Sequence, residues 1–117
     1  MGLKERITIL TSPAQVDAFL ADHSLAVLFK AGSCHKTSEM FARVQPVLEA
    51  SDGLPIGVIR VVEARPASDH VAVLTGVRHE SPQLFLFKDG GMVMHRSDWD
   101  ITEKALAAAL EGRLAAV

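Results

Sequence analysis

The sequence predicts an α/β fold: one domain over residues 1–117, with a mixed central sheet of four to five strands and helices on both faces. Three observations lead there. Short apolar runs rich in β-branched or aromatic residues alternate with segments of helical periodicity, the pattern of strands joined by crossovers. Two late strand-like runs flank Asp89-Gly90-Gly91, a hairpin turn that adds antiparallel strands to the parallel set. The 117 residues are 49% hydrophobic and 22% charged, an ordinary globular balance. A chain of this length buries roughly two-thirds of its unfolded surface, so it needs no disulfide or metal to fold.

Each element has its own signal. Ile7 to Leu10 reads as a short strand. In "TSPAQVDAFLAD", Ser12 can cap a helix, Pro13 suits its first position and Gln15 completes a capping box. Val16, Phe19 and Leu20 then share a face. Leu25 to Phe29 is a continuous apolar run, a buried strand. From Cys34 to Ala50 the pattern is helical, with Met40, Phe41, Val44, Val47 and Leu48 on one side. Pro46 inside it predicts a kink or an early stop. "LPIGVIRVVEA" is the next strand, and "RPASDHVAVLTGV" a helix with Pro66 near its start and Gly76 at its C-cap. Gln83 to Phe87 and Met92 to His95 form the hairpin, with Met92 and Met94 on one strand face. "DITEKALAAALEGRLAAV" closes the chain as a helix, capped by Asp100 or Thr102, with Glu103 in its first turn.

Composition excludes several function classes. A net charge of −2 leaves no electrostatic footprint for nucleic acid. The N-terminal segment lacks the apolar core of a signal peptide and the Ser or Thr of a myristoylation motif. No stretch reaches the ~18 apolar residues of a membrane span. One cysteine makes no intramolecular disulfide, which fits a reducing compartment. The expectation is a cytoplasmic protein free of membrane and nucleic acid, of undetermined oligomeric state.

That cysteine, Cys34 in "AGSCHKTSEMF", follows a buried strand and opens a helix. Ligands in open α/β sheets bind at such carboxyl ends of strands. Unpaired N–H groups and the helix dipole there favour an anion, and a thiolate is one. Cys34 is either a small core hydrophobe or a reactive thiol. Its neighbours Ser33, His35, Lys36 and Thr37 are polar and favour the thiol. In "GVRHESPQLFLFKDG", Pro82 stands at the first position of a strand, where proline is tolerated. On residue statistics its peptide bond reads as trans.

Together, "AVLFKAGSC" and "GVRHESPQLFLFKDGG" resemble the thioredoxin-fold family over essentially the whole chain. The resemblance implies an active cysteine at a helix start, facing a loop whose Ser81-Pro82 bond is cis. Three departures exclude an ordinary dithiol reductase. Thr37 replaces the second cysteine of Cys-x-x-Cys, Ser33 replaces the usual aromatic residue, and Leu28 stands where thioredoxins bury a carboxylate.

A narrower group, the monothiol bacilliredoxins of the bacillithiol system, is more similar. The matching residues are His79, Ser81, Pro82 and Gln83, then His95, Ser97, Trp99, Ile101 and Thr102, with "EARPASD" at the third helix. Thr37 departs from the Ser usual in that group. The resemblance implies Cys34 as catalytic nucleophile in exchange with mixed disulfides of proteins and a low-molecular-weight thiol such as bacillithiol. That thiol acts as co-substrate, with no other cofactor and no metal. It also implies substrate contacts from Ser33, His35, Lys36, Thr37, His79, Ser81 and Pro82. Thr37 would hydrogen-bond the Cys34 sulfur, Lys36 would favour an anionic thiol, and the Ser81 backbone would align the substrate chain. His35 is a proton donor or simply solvated, and His79 lies near the thiol or on a surface loop. His95 reads as structural, Trp99 as an anchor of the last helix on the sheet, and Asp69-His70 as a solvated face. Two other functions compete: an iron–sulfur protein of the monothiol glutaredoxin kind, holding a cluster through Cys34 across a dimer, and a binding module in which Cys34 is incidental.

Overall fold

The computed structural model describes residues 2–112. A five-stranded mixed sheet runs in the order β1-β3-β2-β4-β5. The strands are β1 (Ile7–Ile9), β2 (Leu25–Ala31), β3 (Ile56–Arg60), β4 (Gln83–Lys88) and β5 (Gly91–Ser97). β1, β3 and β2 are parallel; β4 is antiparallel to β2 and to β5. The helices are α1 (Leu3–Arg6), α2 (Pro13–Asp22), α3 (His35–Ala50), α4 (Arg65–Thr75) and α5 (Glu103–Leu110), with a 3₁₀ turn at Asp98–Asp100. The expected alternation and hairpin are present. The end of the expected last helix, residues 113–117, lies outside the described residues.

Strand alternation divides the core in two. Ala26 and Leu28 of β2 point to one face, where α2 and α4 bring Val16, Phe19, Ala67 and Val71. Val27 and Phe29 point to the other, where α3 and α5 bring Met40, Val44, Leu48 and Leu106. Leu28, the residue in the place of the thioredoxin carboxylate, is fully buried in the first cluster.

Local chemistry sets the element ends. Ser12 Oγ accepts from the Gln15 N–H at 3.2 Å, as capping requires. Gln15 reaches back one residue further than a capping box predicts, accepting from the Thr11 N–H at 2.7 Å. Gly76 ends α4 at φ 71°, and Thr102 caps α5 by accepting from the Ala105 N–H at 3.1 Å.

Four expectations change. α3 does not stop at Pro46 but continues to Ala50. Pro46 and Ala42, whose carbonyl the proline leaves without a helical donor, are both exposed, so water can serve that carbonyl. The far end is held by Arg6, a buried side chain of α1. It donates to the carbonyls of Leu48 at 3.0 Å, Ser51 at 2.9 Å and Leu54 at 3.0 Å. The third strand stops at Arg60, before "VVEA". Met92 and Met94 do not share a face. Phe87 pairs with Met92 and Leu86 with Met94, so Val93 is an extra residue in a β-bulge. The bulge sends Met92 to the α2/α4 cluster and Met94 to the α3/α5 cluster. Finally, His70 is not simply solvated: its Nε2 lies 2.8 Å from Asp17 Oδ1 and ties α4 to α2.

Candidate functional site

β2 delivers the chain to the start of α3, and Cys34 is the N-cap residue, with extended backbone and an exposed side chain. The Cys34 thiol is held below its ordinary pKa, first by the Thr37 backbone N–H and next by the Thr37 hydroxyl. Desolvation opposes the two Thr37 contributions, and the Lys36 N–H and the Lys36 charge, each weaker than desolvation, add to the lowering. These are first-turn donors of a helix together with one nearby cation, and the Thr37 N–H also donates to the Cys34 carbonyl at 3.1 Å.

Thr37 is placed to serve the sulfur. Its Oγ1 accepts from the Gly32 N–H at 3.0 Å, so its own proton is free to point elsewhere. Sγ of Cys34 lies 3.9 Å away, a long, weak hydrogen bond. Thr37 therefore occupies the position of a resolving cysteine and contacts the sulfur without being able to displace anything from it.

The loop before β4 closes over this corner. The Ser81-Pro82 bond is cis, as the resemblance implies and residue statistics alone do not. A Cβ at Gly32 would collide with Ser81 Oγ and press on Thr37 Oγ1. Glycine at 32 is what lets the proline loop sit against the cysteine loop. The Ser81 hydroxyl is buried there with no hydrogen-bond partner among the described residues. From the other side, the Asp98 N–H donates to the Pro82 carbonyl at 3.0 Å, fastening the 3₁₀ turn to the same loop.

Lys36, expected to favour an anionic thiol, already has a carboxylate partner. Its ammonium meets Asp98 Oδ1 at 2.9 Å and lies 5.7 Å from the centre of the Trp99 ring. Trp99 is not the buried anchor expected of it. It is 56% exposed, with the Arg43 guanidinium 5.5 Å from its ring centre. Ile101, two residues on, is the buried residue of that segment. Ser33 and His35 flank the thiol and are exposed.

His79 faces another way. Its Nδ1 lies 3.3 Å from Lys30 Nζ and 3.2 Å from Ser68 Oγ, beneath α4. An ammonium only donates, so Nδ1 accepts and neutral His79 carries its proton on Nε2. Burial, then the Lys30 charge, pushes the His79 pKa down. None of its hydrogen bonds reaches Cys34. Lys30, fully buried in the middle of the sheet, is pulled down to a pKa of about 8 by burial, with Asp69 opposing.

Sequence reasoning missed Lys30, Arg43, Ser68 and Asp98. Lys30 had a legible signal: it shares the parity of Ala26 and Leu28, so a strand extended by two residues points it inward. Arg43 and Asp98 carried none, because their roles depend on where Trp99 lands. His95, on the edge strand β5, sits 6.4 Å ring-to-ring from Phe85, in line with a structural role.

Residues 8–106 match the family described as Monothiol bacilliredoxin BrxC. A solved structure described as having a thioredoxin fold is 28% identical, with a TM-score of 0.85 over 92% of this chain and 96% of that one. Mitochondrial thioredoxin 3 from Saccharomyces cerevisiae has a TM-score of 0.75 at 16% identity, over 93% of this chain and 97% of its own. A mutant thioredoxin from Halobacterium salinarum has a TM-score of 0.72 at 22% identity, over 97% and 95%. The last two similarities bear on the fold alone.

Proposed function

This chain belongs to the monothiol bacilliredoxin family, and from that premise we propose that Cys34 frees proteins from mixed disulfides with a carboxylate-bearing small thiol of the bacillithiol type. Membership makes it a thioredoxin-fold protein with a one-cysteine redox role that interacts with a low-molecular-weight thiol. The observation that carries the residue assignment is the exposed Cys34 at the N-cap of α3, lowered in pKa by the Thr37 N–H and hydroxyl.

The chemistry balances without a second cysteine. The Cys34 thiolate attacks the small-thiol sulfur of a protein–small-thiol disulfide. The old S–S bond breaks, the protein leaves as thiolate and takes a proton from water, and Cys34 carries the small thiol as a new disulfide. A second small thiol, as thiolate, attacks the small-thiol sulfur of that adduct. It departs as the symmetrical disulfide and restores the Cys34 thiolate. Oxidation passes from the protein to the small-thiol pool, and no electrons are lost. Thr37 supports the thiolate in both steps. The Ser81 backbone, held against Gly32, offers a strand edge to the protein half. His35, exposed in the first turn of α3 beside Cys34, can orient the water that protonates the leaving sulfur. His79 acts at one remove, through Lys30, Ser68 and the loop that carries Pro82. A chain with a single thiol suits a reducing, cytosolic setting. Among the described residues no helix is long and apolar enough to cross a membrane.

The test is a protein modified by bacillithiol, incubated with the wild type and with Cys34→Ser. The wild type should remove the adduct and show the mass of one small thiol on Cys34 after a single turnover. Removal at the same rate by Cys34→Ser would refute the assignment.

A further inference from the structure

Trp99 raises a question that exchange chemistry alone does not answer. A large aromatic packed against α3, the helix that Cys34 opens, is left 56% exposed when burial would stabilise the fold. Its position is nonetheless fixed. The Asp98 N–H is bound to the Pro82 carbonyl at 3.0 Å, and the Ile101 N–H to the Asp98 carbonyl at 3.1 Å. Two cations from α3 stand over the indole, Lys36 at 5.7 Å and Arg43 at 5.5 Å.

The two cations are not equivalent. Asp98 answers Lys36 at 2.9 Å, and Glu80 adds to the negative field around it. Arg43 has no ion pair among the described residues. Its Nη1 reaches only the carbonyls of Trp99 at 3.4 Å and Ile101 at 3.5 Å, long contacts that leave the rest of the fork open. A guanidinium 5.5 Å from an indole centre suits a carboxylate, which it can grip with two parallel hydrogen bonds. The patch reaches the start of α3 through Lys36, which stands two residues after Cys34, meets Asp98 at 2.9 Å and lies 5.7 Å from the Trp99 ring centre.

We propose that Trp99 and Arg43, steadied by the Lys36–Asp98 pair, form a subsite beside Cys34 that receives the small-thiol half of the mixed disulfide and selects thiols bearing a carboxylate. The inference rests on the exchange reading above. The Arg43 fork takes the carboxylate, and the indole supports the carbon skeleton between carboxylate and sulfur. The Ser81-Pro82 edge is left to the protein half.

Trp99 is the only tryptophan in the chain, so its emission reports on the subsite without catalysis. The full-length Cys34→Ser protein, which cannot exchange, is titrated with the symmetrical disulfide of bacillithiol and, separately, with hydroxyethyl disulfide, which has no carboxylate. A saturable emission change is expected with the first and not the second, and adding Arg43→Gln should weaken it about fivefold or more. Equal responses to both compounds, or no effect of Arg43→Gln, overturn the proposal. A second measurement compares kcat/KM on one carrier protein modified with bacillithiol or with 2-mercaptoethanol. Trp99→Ala should bring the ratio toward one; an equal fall on both substrates would mark Trp99 as merely structural and overturn the proposal. If the wild type exchanges neither substrate while the emission change persists, the exchange reading fails and the subsite stands.

Discussion

Thr37 uses both ends of its hydroxyl. The oxygen accepts from Gly32 and so positions the loop, while the Cys34 sulfur lies 3.9 Å away, where the hydroxyl proton can reach it. Thr37→Val removes both functions at nearly constant volume. The Cys34 pKa should rise and alkylation near neutral pH should slow several-fold, while Thr37→Ser should behave like the wild type. Thiolate absorbance followed against pH decides it; an unmoved titration would leave the backbone N–H groups as the whole cause. Lys30 gives a second residue-scale prediction. Its pKa is about 8 in the folded chain against 10.5 for an ordinary lysine. Between those values the unfolded chain holds a proton that the folded chain has released, so stability rises with pH across that window. Below pH 8 both states are charged and the full cost of burying the ammonium is present. Urea unfolding below and above pH 8 should show this rise in the wild type and a flatter profile in Lys30→Met. Identical profiles would mean that the Lys30 pKa is the same in both states.

At the scale of elements, β3 meets α2 through a missing side chain. A Cβ on Gly57 would stand 2.7 Å from Leu10 Cδ1, 2.8 Å from Leu28 Cδ2 and 3.0 Å from Phe19 Cε2. Gly57→Ala should therefore destabilise the fold by about 1–3 kcal/mol through overpacking, read as a lower urea midpoint. A shift near zero would show that α2 slides away freely. Elements carried by periodicity and caps were legible in the sequence: α2, α4, the β4–β5 hairpin and the Thr102 cap. What was not legible depended on long-range partners. α3 outlasts Pro46 because Arg6, more than forty residues away in sequence, holds its end. The Val93 bulge hides in a strand whose alternation looks regular, since only pairing with β4 reveals the extra residue. Trp99 was misread because its setting comes from α3, not from its own neighbours.

For the molecule as a whole, the fold was legible from element order, and the position of Cys34 from the junction of β2 with α3. The lone thiol carries a kinetic consequence. A dithiol protein clears its own adduct by an intramolecular step whose rate is independent of what surrounds it. With Thr37 at the second position, Cys34 clears its adduct only by collision, so the step is second order. The recovery rate of pre-loaded protein should rise in proportion to added small thiol, followed by mass spectrometry of quenched samples. Recovery at a fixed rate without added thiol would contradict this. On the exchange proposed above, the fraction of chains carrying the adduct would track the ratio of oxidised to reduced small thiol, and the protein would gauge the pool that it serves.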